Sequence, residues 1–148
     1  MTATLRVTDS AAYDRDGVIR IRGFFDSKLI TEIRGEIERY TREILPLQEM
    51  PDCTLEADGS TIRNLWRLEK HSNYFRRLAG RRDLRLVVRK LGQGDPVLVA
   101  VETFNKPANV GSSVPYHQDN AYFCQSPPDV VTVWIAIAQN IASKTQGK

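Results

Sequence analysis

The feature that most constrains the fold is a change of pattern near residue 92. Before it, apolar residues recur at the three- and four-residue spacing of amphipathic helices, and after it the chain consists of β-branched apolar runs broken by loops. We therefore expect an α+β fold in a single domain. The expected parts are a helical region at about 8–92, a β region at about 97–137 and an atypical polar tail at 138–148, all within one domain over 1–148.

The strongest helical pattern lies between Ser27 and Leu45. Apolar residues fall on one face at every third or fourth position, and charged residues fill the other faces. Asp26 precedes this run and is a suitable N-cap residue, because its carboxylate can accept from the first free backbone amides. Pro46 cannot continue a helix, so we expect the helix to end there.

Other segments carry weaker but readable signals. They combine short periodic stretches with glycine, proline and aspartate at the boundaries. The predictions are a helix at Thr8–Asp16, a strand at 18–22, a surface loop at 45–64, a helix closing on Gly80, and a helix that Asp83 caps and Gly92 stops.

Charge does not dictate a partner for this chain. The 21 basic and 18 acidic residues leave a net charge of +3, which is a mild excess. Between residues 76 and 90 six arginines and one lysine cluster, but no aromatic residues interleave with the later charges. A solvated helix face accounts for this cluster, and we expect no nucleic-acid binding.

Cysteine usage and hydropathy point to a cytoplasmic protein. Cys53 and Cys124 lie far apart without CxxC spacing, which is typical of reduced thiols. The N-terminus lacks the apolar core of a signal peptide, and no window approaches 18 uninterrupted apolar residues. We therefore expect no membrane association.

The stretch VPYHQDNAYF contains His117 and, two residues later, Asp119. Alternate side chains of an extended segment project to one side, so this imidazole and carboxylate are placed to share one cation. With a second histidine from another strand, they would form the facial triad that holds non-haem Fe(II). A His–Asp hydrogen bond that stabilises a loop is the alternative. The other histidine, His71, lies in a polar, helix-starting context and is not expected to be a ligand.

The segment VAVETFNKPANVGSSVPYHQDNAYFCQSPPDVVTVWIAI resembles the phytanoyl-CoA dioxygenase family of Fe(II)- and 2-oxoglutarate-dependent oxygenases. In that family a strand with a KP-containing loop precedes an aromatic-His-Gln-Asp motif, and a strand of the form V-x-V-W-I-A-I/L follows it. The N-terminal stretch DGVIRIRGFFDSKLITEIRGEIER looks like the opening strand and first long helix of the family. The resemblance covers about residues 8–137.

The resemblance implies N-terminal helices packed on a double-stranded β-helix, a jelly-roll-like sheet that is incomplete in this chain. It also implies a dioxygenase that hydroxylates a small-molecule substrate, with Fe(II) as metal and 2-oxoglutarate as co-substrate. His117 and Asp119 match two of the three iron ligands. Gln118 and Trp134 match family positions near the 2-oxoglutarate pocket, although Trp134 is equally readable as a core residue of a buried strand.

Four further residues are candidates for the substrate pocket. Tyr116 and Tyr122 flank the motif and are placed to wall a pocket, while Asn105 and Lys106 lie on the approach to it and are placed to meet an anion. A turn residue and a solvated lysine are the alternative interpretations of the last two.

The sequence departs from the family pattern after the tryptophan strand. There the family carries its second histidine ligand and the arginine that binds the distal carboxylate of 2-oxoglutarate, but this sequence has no histidine or arginine beyond Asp119. We therefore expect a truncated chain that does not turn over alone, with unpaired sheet edges that favour self-association. The alternative function is an inactive remnant that binds a small acid or a partner protein. A zinc hydrolase has less support, because no further ligand stands at a familiar zinc spacing.

Overall fold

The computed structural model of the chain describes residues 7–92, 94–107 and 109–137. Helices dominate the first two thirds of these residues, and the strands are short. The elements are α1 (Val7–Asp16), α2 (Ser27–Arg39), β1 (Cys53–Leu55), β2 (Ile62–Leu65), α3 (Leu68–His71), α4 (Asn73–Ala79), α5 (Arg82–Leu91), β3 (Thr103–Phe104) and α6 (Asn120–Phe123).

Helix α2 begins where the sequence predicts it. The Asp26 carboxylate accepts a hydrogen bond of 2.8 Å from the Leu29 amide, so this residue is the N-cap. Beyond Arg39 the chain continues as a π-helical turn over Tyr40–Ile44 and a 3-10 turn over Leu45–Leu47. The helix predicted to run from Ser27 to Leu45 is therefore confirmed, and its last turns change their hydrogen-bonding pattern as they approach Pro46.

The hydrophobic core lies between α2, its π-helical continuation, β2, α3 and α4. Its buried members are Ile33, Tyr40, Leu45, Leu65, Leu68, Phe75 and Leu78. The rings of Tyr40 and Phe75 meet edge to face at a centroid distance of 6.1 Å. Val101 and Ile137 pack against this cluster from the C-terminal half, and Arg34 donates a hydrogen bond of 2.6 Å to the Ile137 carbonyl. These contacts attach the C-terminal half to the helices.

The three strands form one antiparallel sheet in the order β1-β2-β3. The surface loop predicted for 45–64 is wrong in its second part, because residues 53–65 form the β1–β2 hairpin. Asp58 and Gly59 make the turn: Gly59 has a φ of +71°, and Asp58 accepts hydrogen bonds from the amides of Ser60 and Thr61. The β-branched residues on both sides of this turn favour the paired strands.

The carboxylate of Asp58 in this turn is expected to make the stability of the fold depend on pH. Hydrogen bonds from Thr61 and Ser60 lower the pKa of Asp58 to about 2. Because this folded-state pKa lies below the unfolded value of about 3.9, the stabilising contribution is complete above about pH 5 and is lost progressively as the pH falls through about 2. We expect the difference in urea midpoint between the wild type and Asp58→Asn to shrink over that range. Asp14→Asn, an exposed position on α1, is the control, and a pH-independent Asp58 difference would contradict the assignment.

Most helix boundaries in the N-terminal half are confirmed, and two predictions are wrong. Gly80 and Gly92 end α4 and α5, and α1 covers the first predicted helix. The strand predicted at 18–22 does not form: Val18 is 69% exposed, and no partner strand lies beside this segment among the described residues. Asp83 is not the cap of α5 but lies inside the helix, where its carboxylate pairs with Arg81 at 2.6 Å.

The C-terminal half contains less sheet than the β-branched runs predict. Among the described residues beyond 92, only the two residues of β3 are in a strand, and 130–137 is not paired. An isolated apolar run has no ladder to join, because a strand is stabilised by the hydrogen bonds and side chains of its neighbours. The α+β class is confirmed, and the predicted tail at 138–148 lies outside the described residues.

Many apolar side chains of this half remain exposed. They include Val97, Leu98, Val99, Phe104, Tyr122 and Trp134. None of the helices in the described part of the chain is long and apolar enough to cross a membrane.

Candidate metal centre

The His-Gln-Asp motif lies where an irregular segment meets α6. Asp119 precedes the helix, and its carbonyl accepts hydrogen bonds from the amides of Tyr122 and Phe123, at 2.9 and 3.1 Å. His117 Nε2 lies 3.4 Å from Asp119 Oδ1, and the two side chains are 35% and 51% exposed. The structure therefore brings the two heads together at a solvent-accessible position.

The Pro115 carbonyl favours one tautomer of the His117 imidazole. Its Nδ1 lies 2.8 Å from the carbonyl oxygen of Pro115, which can only accept, so this nitrogen carries the hydrogen. In the neutral ring Nε2 then presents a lone pair to the Asp119 carboxylate. Two acceptors that face each other need a cation between them, either a metal ion or a proton on the ring.

The separation of the two heads also suits a metal ion. At a ligand bond of about 2.1 Å, two donors of one ion lie about 3.0 Å apart at a right angle and about 3.4 Å apart at a tetrahedral angle. The observed Nε2–Oδ1 distance of 3.4 Å falls in this range. A hydrogen bond from Nδ1 to a carbonyl is the usual way in which a protein orients a metal-binding histidine. His117 and Asp119 therefore fit as two donors of a metal site.

A third donor does not lie beside this pair in the part of the chain that the structure describes. No group of three or more histidine, cysteine, aspartate or glutamate residues suited to a metal occurs there. His71 lies next to Asp52, with 3.8 Å between Nε2 and Oδ2. The pair is therefore half of a metal site among the described residues.

Glu102 is a neighbour that the sequence pattern did not single out. Although the residue is exposed as a whole, desolvation of its carboxyl raises its pKa, the charge of Glu69 adds to the rise, the Arg67 guanidinium opposes it, and Asp119 contributes a smaller increase. Glu102 thus lies within the electrostatic field of the motif. Its signal in the sequence is a lone acid inside the apolar run 97–104.

The two tyrosines beside the motif have different surroundings. The ring of Tyr122 meets the imidazole of His117 edge to face, with 5.5 Å between centroids. Tyr116 is fully exposed, and Gln118 is exposed with its carbonyl accepting from the Ala121 amide. The structure thus places one of these three side chains, that of Tyr122, against the His117 imidazole.

Asn105 and Lys106 lie at the start of the loop that leads to the motif. The Asn105 amide donates 2.8 Å to the Arg63 carbonyl, and its side chain donates 3.1 Å to the Ile62 carbonyl, so its polar groups fasten the loop to β2. Lys106 is exposed, as a solvated lysine would be. Their role at a substrate stays a prediction.

Trp134 does not occupy a core position. Its side chain is 75% exposed, and its ring meets Phe104 edge to face at 6.2 Å. The interpretation of this tryptophan as a buried strand residue is therefore wrong. Phe104 follows the segment that carries Glu102, so Trp134 lies beside β3.

Comparison with known proteins identifies one family. The family model described as phytanoyl-CoA dioxygenase (PhyH) matches residues 13–140, which is most of the chain and includes the His-Gln-Asp motif. No curated protein and no solved structure matches the chain. The resemblance read from residues 8–137 is thereby confirmed.

Proposed function

The chain belongs to the phytanoyl-CoA dioxygenase family, and from this we propose that it carries the metal-binding motif of a non-haem Fe(II)- and 2-oxoglutarate-dependent dioxygenase. His117 and Asp119 would hold the metal. The observation that carries the proposal is the 3.4 Å gap between His117 Nε2 and Asp119 Oδ1, with Nδ1 bonded to Pro115. That gap presents a nitrogen lone pair and a carboxylate to one cation.

The chain's own residues orient the donors. The Pro115 carbonyl holds the imidazole with Nε2 towards the site, and the first turn of α6 fixes the backbone of Asp119. The ring of Tyr122 contacts the imidazole edge to face. When bound, Fe(II) would supply the centre for oxidative decarboxylation of 2-oxoglutarate and activation of oxygen towards a C–H bond.

We assign the remaining candidate residues to the ligands of that reaction. Gln118 and Trp134 would contact 2-oxoglutarate, and the residues that line the approach to the motif would contact a small-molecule substrate. Those residues are Tyr116, Tyr122, Asn105 and Lys106. The complete fold would be a double-stranded β-helix, and the alternating burial along 134–137, with Ile135 and Ile137 less exposed than Trp134 and Ala136, supports an extended segment there.

The test uses the fact that the chain has two histidines, His71 and His117. Mn²⁺ is a paramagnetic substitute for Fe(II), and it broadens the proton resonances of an imidazole that it binds. In a titration followed by NMR, we expect the ring protons of His117 to broaden at lower Mn²⁺ concentration than those of His71. Mg²⁺ at the same concentrations is the diamagnetic control, and His71→Gln assigns the two sets of resonances.

The opposite order of broadening, or equal broadening of both histidines, would reject the metal site. Succinate formation from 2-oxoglutarate with Fe(II) and oxygen then separates the two candidate functions. Succinate that depends on His117 supports the dioxygenase, whereas metal binding without succinate supports a binding module. The specific observation that favours this second function is the missing third donor among the described residues.

A further inference from the structure

Glu56 is a buried carboxylate outside the motif that contacts the segment leading to it. The residue lies just after β1 and is 4% exposed. Its Oε2 accepts hydrogen bonds from the Ser112 amide at 3.1 Å and the Ser112 hydroxyl at 2.5 Å, across 56 positions of sequence. These bonds, the hydroxyl first, lower the pKa of Glu56 against the opposing effect of desolvation. The group is therefore an ionised acceptor that holds Ser112.

The hairpin keeps Glu56 in one place. Its amide donates to the Thr61 carbonyl at 2.8 Å, and its carbonyl accepts from the Gly59 amide at 3.0 Å. The turn between them is closed by Asp58, which accepts from Thr61 through both amide and hydroxyl. A backbone bonded on both sides presents its side chain in one direction, so Ser112 is bonded to a rigid element.

Among the residues that the structure describes, Ser112 is the last one before the motif that is hydrogen-bonded to the rest of the fold. Among the described residues from 113 to 125, every hydrogen bond joins two residues of Pro115–Gln125. His117 follows Ser112 by five positions, a distance of at most about 18 Å along the chain. On this side of the motif, the bond between Ser112 and Glu56 is therefore the attachment nearest in sequence to His117 among the described residues.

The backbone is closely packed at Gly111, the residue directly before Ser112. The Gly111 amide donates to the Pro107 carbonyl at 3.0 Å. A Cβ at Gly111 would lie 2.8 Å from that carbonyl oxygen and 2.8 Å from Lys106 Cγ, which is closer than real Cβ contacts allow. The backbone therefore needs glycine at this position, directly before Ser112.

We propose that Glu56 is a positioning residue for the metal motif, acting through Ser112 to hold the segment that carries His117. This inference rests on the proposed function, because it concerns the affinity of the same metal site. A residue of the β1–β2 hairpin would thereby act on a site that lies more than fifty positions away in sequence. Residues that orient ligands indirectly typically change metal affinity by about tenfold to a hundredfold.

The experiment compares Co²⁺ affinity, measured by calorimetry on the full chain, among four proteins. They are the wild type, Glu56→Ala, Glu56→Gln and Glu49→Ala, the last of which removes an exposed carboxylate from the neighbouring segment. We expect Glu56→Ala to weaken binding by about tenfold to a hundredfold. Glu56→Gln retains an oxygen acceptor for Ser112 and is expected to recover most of the affinity, and Glu49→Ala is expected to bind like the wild type.

Two readouts keep this outcome separate from simple unfolding and from failure of the proposed function. The thermal midpoint and the exchange rate of the Ser112 amide are measured on the same samples. Faster exchange at Ser112 together with weaker binding in a protein that remains folded supports positioning. Wild-type binding that Glu56→Ala leaves unchanged overturns this inference alone. Absence of Co²⁺ binding by the wild type overturns the proposed function and this inference with it.

Discussion

Replacing His117 by alanine is expected to lower the affinity of the chain for Co²⁺ or Mn²⁺ by at least about a hundredfold. Residues that only orient a ligand already contribute about tenfold to a hundredfold, so loss of a direct donor costs more. In His117→Ala a single exposed carboxylate, that of Asp119, remains at the motif. An exposed carboxylate alone holds a transition metal weakly, because the imidazole donor is the one that favours such ions.

The matched control is His71→Ala, which removes the other histidine of the chain. Its imidazole lies 3.8 Å from Asp52, and this substitution is expected to leave the affinity within about twofold of the wild type. Asp119→Asn should weaken binding substantially, because an amide oxygen carries no net charge. Equal affinities of the wild type and His117→Ala would show that the metal binds elsewhere.

Replacing Phe75 by alanine is expected to destabilise the fold by about 3 to 5 kcal/mol. The ring is 2% exposed and lies edge to face against Tyr40 and Tyr74, with centroid distances of 6.1 and 5.3 Å. Its removal leaves a cavity between α2 and α4, and the surrounding rings cannot fill it without leaving their rotamers. Urea unfolding followed by circular dichroism measures the loss.

A domain of this size has about 5 to 15 kcal/mol of stability, so the alanine variant can be largely unfolded. In that case Phe75→Leu provides a milder variant whose free energy of unfolding can be measured. This smaller change is expected to cost about 1 to 2 kcal/mol. Leu47→Ala is the control, because Leu47 is 83% exposed and its truncation should change stability by less than about 0.5 kcal/mol. A Phe75→Ala protein as stable as the control would place the core elsewhere.

The helical half could be predicted because its signals are local. The apolar spacing from Ser27 to Leu45, the Asp26 cap and the stops at Gly80 and Gly92 each depend on residues within a few positions. The strand at 18–22 was wrong because alternation alone does not supply a partner. The β1–β2 hairpin was missed because two nearby prolines suggested a loop, although the Asp58-Gly59 turn was visible.

The candidate site likewise has features that the local sequence predicts and features that depend on the tertiary structure. The proximity of His117 and Asp119 was expected from their spacing of two residues, although Asp119 itself is in the right-handed helical region rather than extended. The sequence did not indicate that the Pro115 carbonyl would select the imidazole tautomer or that Tyr122 would lie against the ring, because these contacts depend on a helical turn after the motif. The exposure of Trp134 likewise depends on what packs beside it.

The sequence by itself determined the main helices, the pair His117 and Asp119, and the family. Only the tertiary structure decided that Glu56 holds Ser112 across 56 positions and that Arg34 reaches the Ile137 carbonyl across 103. The physical reason is the range of the forces involved. Periodicity, caps and turns act within one or two turns of the chain, whereas burial of a carboxylate and its pairing with distant donors are settled by how the whole chain packs.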